Sequence, residues 1–114
     1  MNKKTSQISI NIELGDDKIP EHISWSAPDQ NQLDQPVKAM LLSLFDGQNK
    51  QTLKIDLWTK EMQVVEMDRF FYQTLRSMTE SYFKATNNQS MARAMQQFVQ
   101  YFGEQTEIIP KEKN

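Results

Sequence analysis

The side chains best suited to chemistry are few in this sequence and stand far apart. His22 is the only histidine, and cysteine is absent. A Ser-His-Asp arrangement would need a serine on a sharp strand-to-helix turn near that histidine, and no such turn is visible. Without cysteine there is no thiol nucleophile, disulfide or thiolate metal site. We therefore interpret His22 as an exposed strand residue and predict no catalytic residues.

The carboxylates and glycines also lack the spacing of a metal or cofactor site. The run from Asp29 to Leu33 begins like a calcium loop, but leucine takes a ligand position and the required glycine is missing. The three glycines, at positions 15, 47 and 103, are too few for a phosphate-binding or dinucleotide-binding loop. We predict no metal, no cofactor and no enzymatic activity. A deep pocket in which Asp56, His22 and a tyrosine converge would favour an enzyme or small-ligand binder instead.

Bulk composition excludes further classes. The 114 residues predict a single domain spanning 1–114, with 1–6 and 110–114 as flexible tails. The net charge of −2 offers no basic excess for a nucleic-acid backbone. No apolar run approaches the roughly 20 residues that span a bilayer, and no signal peptide is visible. We expect no nucleic-acid partner, no membrane insertion and a cytoplasmic location.

Hydrophobic periodicity predicts four strands in the first half of the chain. Residues 8–14 alternate isoleucine or leucine with polar residues, and 19–27 do so more weakly. Residues 37–45 are apolar on both faces, which is typical of a central strand, and 51–58 form the fourth strand after a turn at Asp46-Gly47. The polar segment 28–36 is predicted to be a loop.

The period changes to that of helices after Thr59. The first helix carries an apolar stripe of Met67, Phe71, Leu75, Met78 and Tyr82, and the second carries Met91, Met95, Phe98 and Phe102. Asn87-Asn88 is predicted to separate them, and Gly103 to end the second. Strands followed by helices favour an α+β fold: one four-stranded antiparallel sheet, followed by two amphipathic helices packed on one face.

Two surfaces are candidates for binding another protein. If helices cover one sheet face, apolar residues of the third strand and Trp58 remain on the other, unless the 28–36 loop covers them. On the first helix, a side stripe of Tyr72, Arg76, Thr79 and Phe83 either anchors a partner or packs against the second helix. The predicted protein-binding residues are Trp58, Lys60, Tyr72, Arg76 and Phe83, with Met40 and Leu42 if the second sheet face is open.

Three segments resemble the gliding motility-associated GldC family of Bacteroidota: 37–46, 52–62 and 70–75. The Ile-Asp-Leu-Trp-Thr-Lys run at 55–60 is the most specific part, and the likeness extends from about Ile8 to Ile109. The resemblance implies a soluble cytoplasmic protein of the gliding-motility set, which serves movement over surfaces and the associated secretion system. It supplies no catalytic residues.

The residues and the resemblance together predict an accessory protein of gliding motility that acts through protein contacts. Its expected partners are proteins of the gliding or secretion machinery, and self-association is left open. The alternative is an export chaperone like SecB, which would hold unfolded clients on an apolar sheet face. That alternative rests only on the shared order of four strands and two helices.

Overall fold

A computed structural model describes residues 3–111, and the chain divides into two compact units whose boundary lies between Met62 and Gln63. Within the described residues the first unit contains five strands and the second two long helices, so the predicted α+β class is confirmed. Residues 1, 2 and 112–114 of the predicted tails lie outside the described range. That the chain is one domain stays a prediction.

The first unit begins with an antiparallel sheet in the order β1 (Ser9–Leu14), β2 (Pro20–Ala27) and β3 (Gln32–Val37). Ile10 lies opposite Trp25, and Ile12 lies opposite Ile23, as the alternation predicts. These side chains therefore share one face, and Ile23 is only 2% exposed at its centre.

Strand β3 occupies the segment predicted to be a polar loop, so that prediction is wrong. Pro28–Gln30 forms one 3-10 turn, Asn31 adopts a left-handed conformation, and Gln32–Val37 then pairs with β2. The Ser26 hydroxyl accepts a hydrogen bond from the Asp34 backbone at 2.9 Å, where the pairing register shifts. The segment carries few apolar residues, but it satisfies the backbone groups along the edge of β2.

The second sheet is a two-stranded hairpin of β4 (Ala39–Asp46) and β5 (Gln51–Trp58). The prediction of one four-stranded sheet is therefore wrong, because the described strands form a three-stranded and a two-stranded sheet. Lys38 separates β3 from β4, and its carbonyl accepts a hydrogen bond from the Thr59 backbone at 2.8 Å. Strand β3 adds a fifth strand, and the interruption at Lys38 divides the described strands into two sheets.

The first helix, α1 (Val64–Thr86), is capped at both ends by its own residues. The Glu66 carboxylate accepts a hydrogen bond from the Gln63 backbone at 3.1 Å, which satisfies one donor at the helix start. Asn87 ends the helix in a left-handed conformation, with φ of 56°. Asn88 then caps α2 (Gln89–Gln105), since its side chain accepts from the Met91 backbone at 3.1 Å. The predicted break at Asn87-Asn88 is confirmed.

The two helices pack against each other through small residues. The buried positions are Thr79 on α1 and Ala92, Val99 and Gly103 on α2. Gly103 lies inside α2 rather than at its end, so the predicted stop is wrong. The buried face of α2 is also not the predicted stripe, since Met91 and Phe98 are about half exposed. That both helices pack on one sheet face stays a prediction.

Candidate protein-binding surface

The turn between β4 and β5 is fixed by its own polar groups. The Asp46 carboxylate accepts hydrogen bonds from the Gln48 and Asn49 backbones at 2.8 and 3.4 Å. The Asp46 carbonyl accepts from the Lys50 backbone, and Lys50 adopts a φ of 61°. Because the turn is held locally, it sets which β4 residues lie opposite which β5 residues.

The resulting register brings six apolar side chains onto one face of the hairpin. Met40 lies opposite Leu57, Leu42 opposite Ile55, and Leu44 opposite Leu53. We call this set the hairpin face: Met40, Leu42, Leu44, Leu53, Ile55 and Leu57. Directly opposite residues share a face of a pleated sheet, so the set is continuous.

The first unit does not bury the hairpin face. Its two outermost residues, Leu44 and Leu53, are 51% and 56% exposed, and the other four residues are half-buried or exposed. Isolated apolar side chains are common on protein surfaces, but a continuous apolar set of this size usually marks a site that contacts another protein. Met40 and Leu42 were predicted to belong to such a face if it proved open.

Trp58 lies on the other face of the same hairpin. It is 52% exposed and stands opposite Ala39. On that face Lys54 and Asp56 form an exposed ion pair, with 2.9 Å between the ammonium nitrogen and the carboxylate oxygen. The register therefore separates Trp58 from Met40 and Leu42, so these three predicted residues do not form one contact surface within the hairpin.

Lys60 has a partner within the first unit. Its ammonium group donates a hydrogen bond to the carboxylate of Asp17 in the turn between β1 and β2. This bond holds the pKa of Asp17 below its usual 3.8, and the Ile19 backbone lowers it further. The same bond raises the pKa of Lys60 above 10.5. Lys60 thus links the segment after β5 to the turn between β1 and β2, and its binding of another protein stays a prediction.

The predicted residues of the second unit lie on the side of α1 that faces α2. The Tyr72 ring lies so close to Gly103 that a methyl group at position 103 would collide with it. Exposed Arg76 and buried Thr79 line a cleft of about 370 Å³ with Gln96 of α2. Phe83, 37% exposed, lines a neighbouring cleft. Tyr72 and Thr79 therefore pack between the helices, whereas Arg76 and Phe83 stay exposed, and partner binding by this stripe stays a prediction.

The sequence did not predict that part of the apolar stripe on α2 would face away from α1. The exposed residues Met91, Phe98 and Tyr101 lie outside the buried face, and the rings of Phe98 and Tyr101 are 6.4 Å apart. The helical periodicity identified an apolar stripe here, but it did not reveal that smaller residues would make the contact with α1. Only the identity of the facing helix residues could have revealed it.

His22 lines a cleft of about 390 Å³ in the first unit, together with Glu21, Glu61 and buried Thr59. Among residues 3–111 the Thr59 hydroxyl finds no hydrogen-bond partner. The lining includes neither Asp56 nor a tyrosine, so the combination that would favour an enzyme does not form there. In the part of the chain that the structure describes, no three histidine, aspartate or glutamate side chains are grouped so as to hold a metal ion.

Comparison with known families matches residues 20–108 to the GldC-like family, described as gliding motility-associated protein GldC-like. The match covers more than three-quarters of the 114 residues. The chain belongs to the GldC-like family. This confirms the predicted family. No curated protein and no solved structure matches the chain.

The GldC-like match includes the whole hairpin face and both helices, and it begins at the first residue of β2. The family description associates the chain with gliding motility and names no reaction. It supports the motility prediction and not the SecB-like chaperone. Among residues 3–111, neither helix is long and apolar enough to cross a membrane.

Proposed function

We propose that this GldC-like chain is a cytoplasmic, non-enzymatic accessory protein of gliding motility, and that it acts by binding another protein of the motility or secretion machinery. The family match supports the association with motility. The observation that carries the contact is the hairpin face, where six apolar side chains stand together and none is buried. Burying such a set against a partner is favourable by about 25 cal/mol for each Å² of apolar surface.

The proposed contact is centred on the hairpin face rather than on Trp58. Met40 and Leu42 belong to this face, whereas Trp58 and the Lys54–Asp56 ion pair lie on the opposite one. A partner of matching chemistry presents an apolar strand or helix surface with few charges, since an unpaired charge facing these leucines would lose its hydration.

The test compares two neighbouring residues on opposite faces of β4. Leu44 and Phe45 are both exposed, at 51% and 67%, so aspartate fits at either position without burying its charge in the free chain. In a gliding host that lacks the gene, Leu44→Asp should abolish spreading and lower affinity for the partner about tenfold or more, because the aspartate places an unpaired charge within the apolar contact. Phe45→Asp should restore spreading.

Circular dichroism must show that both variants are folded. Equal spreading of colonies that carry Leu44→Asp and Phe45→Asp would contradict a contact made through the hairpin face. Loss of motility in both variants, with unchanged partner binding, would contradict it too.

A further inference from the structure

The outer edge of β5 pairs with no strand of residues 3–111. The β4–β5 sheet has only two strands among the described residues, and seven of the eight residues of β5 are exposed. Two-stranded sheets are marginally stable in water, and an unpaired edge presents a row of hydrogen-bonding groups that can pair with another strand.

The backbone groups on that edge can be assigned from the pairing. The Thr59 backbone donates to the Lys38 carbonyl, one residue beyond the paired ends of β5 and β4, and residues along an antiparallel strand alternate in the direction of their backbone groups. Residues 57, 55, 53 and 51 therefore bond to β4. Residues 52, 54, 56 and 58 direct their N–H and C=O groups away from the hairpin.

The side chains along this edge have a self-complementary charge pattern. Lys54 and Asp56 flank Ile55, lie on the same face, and carry opposite charges. A lysine on an edge strand usually discourages pairing with another strand, but here an aspartate two residues away balances it. A twofold rotation of β5 about Ile55 therefore places position 54 where position 56 was, so that lysine and aspartate exchange places.

We infer that β5 pairs with β5 of a second copy of this chain, antiparallel, with the twofold axis at Ile55. Each Lys54 then lies opposite Asp56 of the second copy, in positions whose backbone groups point toward each other. Leu53 lies opposite Leu57 of the second copy, on the side of the hairpin face. Two hairpins become one four-stranded sheet.

The charges select this register over its neighbours. Moving the axis by one residue places two Lys54 side chains, or two Asp56 side chains, directly opposite each other, and like charges in that position destabilise a sheet. The outward residues of β4, which are Ala39, Leu41, Ser43 and Phe45, carry no charge and select no register. The hairpin face stays open in this dimer, so the inference does not depend on the proposed function.

Two charge variants test the contact between copies. Lys54→Asp places an aspartate opposite Asp56 of the second copy, and Asp56→Lys places a lysine opposite Lys54 of the second copy. Each variant alone should raise the dimer dissociation constant about tenfold or more, as two favourable pairs become two unfavourable ones. Both also lose the ion pair within β5. Sedimentation velocity on the full-length chain measures the association, and circular dichroism confirms the fold.

Mixing the two variants separates the contact between copies from effects within one strand. In the mixed dimer each aspartate faces a lysine, so association should recover although neither chain has its internal ion pair. Wild-type protein that is monomeric at high micromolar concentration would overturn the inference. So would single variants that associate like the wild type, or a mixture that stays monomeric. None of these results alters the expected difference between Leu44→Asp and Phe45→Asp.

Discussion

At the residue scale, Gly103 sets how closely α1 and α2 approach. A methyl group added there would lie 2.6 Å from a ring carbon of Tyr72 and 2.8 Å from the Ile109 side chain. The Gly103 carbonyl also accepts hydrogen bonds from the backbones of Ile108 and Ile109. The segment after α2 therefore folds back over this position, and the ring has little room to move.

We expect Gly103→Ala to destabilise the protein by about 1–2 kcal/mol. Overpacking costs about 1–3 kcal/mol, and the better helix propensity of alanine offsets part of it. Urea unfolding followed by circular dichroism measures the change. Gly47→Ala is the matched control, because nothing lies within 4 Å of the added methyl group. Equal stability of the two variants would contradict the close contact with Tyr72.

The Asp17–Lys60 pair predicts a pH dependence of known sign. Because the Lys60 bond lowers the pKa of Asp17, the pair stabilises the fold above pH 3.8, and this contribution is lost as pH falls through the lowered value. Both side chains are about half exposed, so the effect on stability is small. An NMR titration should place the Asp17 pKa below 3.8.

Lys60→Met removes the main cause of that shift. The Asp17 pKa should then rise toward its usual value, although the hydrogen bonds from the Ile19 and Asp17 backbones still lower it. Lys18→Met removes a neighbouring lysine without this bond and serves as the control. An Asp17 pKa that responds equally to both replacements would show that general charge, and not the hydrogen bond, lowers it.

At the element scale, the connection between α1 and α2 depends on two asparagines with different roles. Asn88 caps α2 through its side chain, whereas Asn87 adopts the left-handed conformation that ends α1. Asn88→Ala should cost about 1 kcal/mol of stability, the usual value of such a cap. Asn87→Gly should be nearly neutral, because glycine adopts a positive φ without strain. Urea unfolding would contradict these roles if the two variants ranked in the opposite order.

The elements that the sequence predicts well are those with clear periodicity. Strands β1, β2, β4 and β5 and both helices lie where alternation or helical spacing placed them. Strand β3 could not be predicted, because Leu33 and Val37 are too few to make a clear alternation, Pro36 interrupts the run, and the strand forms by pairing with β2. The break at Lys38 has the same origin, since pairing on either side of it decides where one sheet ends.

The candidate site was predictable in part. Alternation showed that Met40 and Leu42 share a face, but only the register placed Leu53, Ile55 and Leu57 beside them and Trp58 behind. On α2 the periodicity predicts an apolar stripe, but it does not show which side of the helix is buried. Both sides carry apolar residues, and the side with the smaller ones packs against α1 because it allows closer contact. The register of a strand and the buried side of a helix depend on the element that packs against it. The sequence of that strand or helix alone does not specify them.

At the scale of the whole molecule, apolar side chains remain exposed in both units. Leu44 and Leu53 belong to the first, and Phe98 and Tyr101 to the second. The chain carries a net charge of only −2, and its isoelectric point is near 5.4. Proteins with little net charge associate and precipitate more readily, so we expect a solubility minimum near pH 5.4. Light scattering across pH measures it, and Leu44→Asp should make the minimum shallower.

The bare hairpin face also has a consequence for how much of this protein a cell can keep. If the proposed contact is made, chains produced in excess of the partner would keep those apolar side chains in water and become substrates for proteases or seeds of aggregates. Abundance would then follow the supply of the partner rather than the rate of synthesis. Production together with the correct partner should raise the recovered yield, and this offers a way to recognise that partner among the motility proteins.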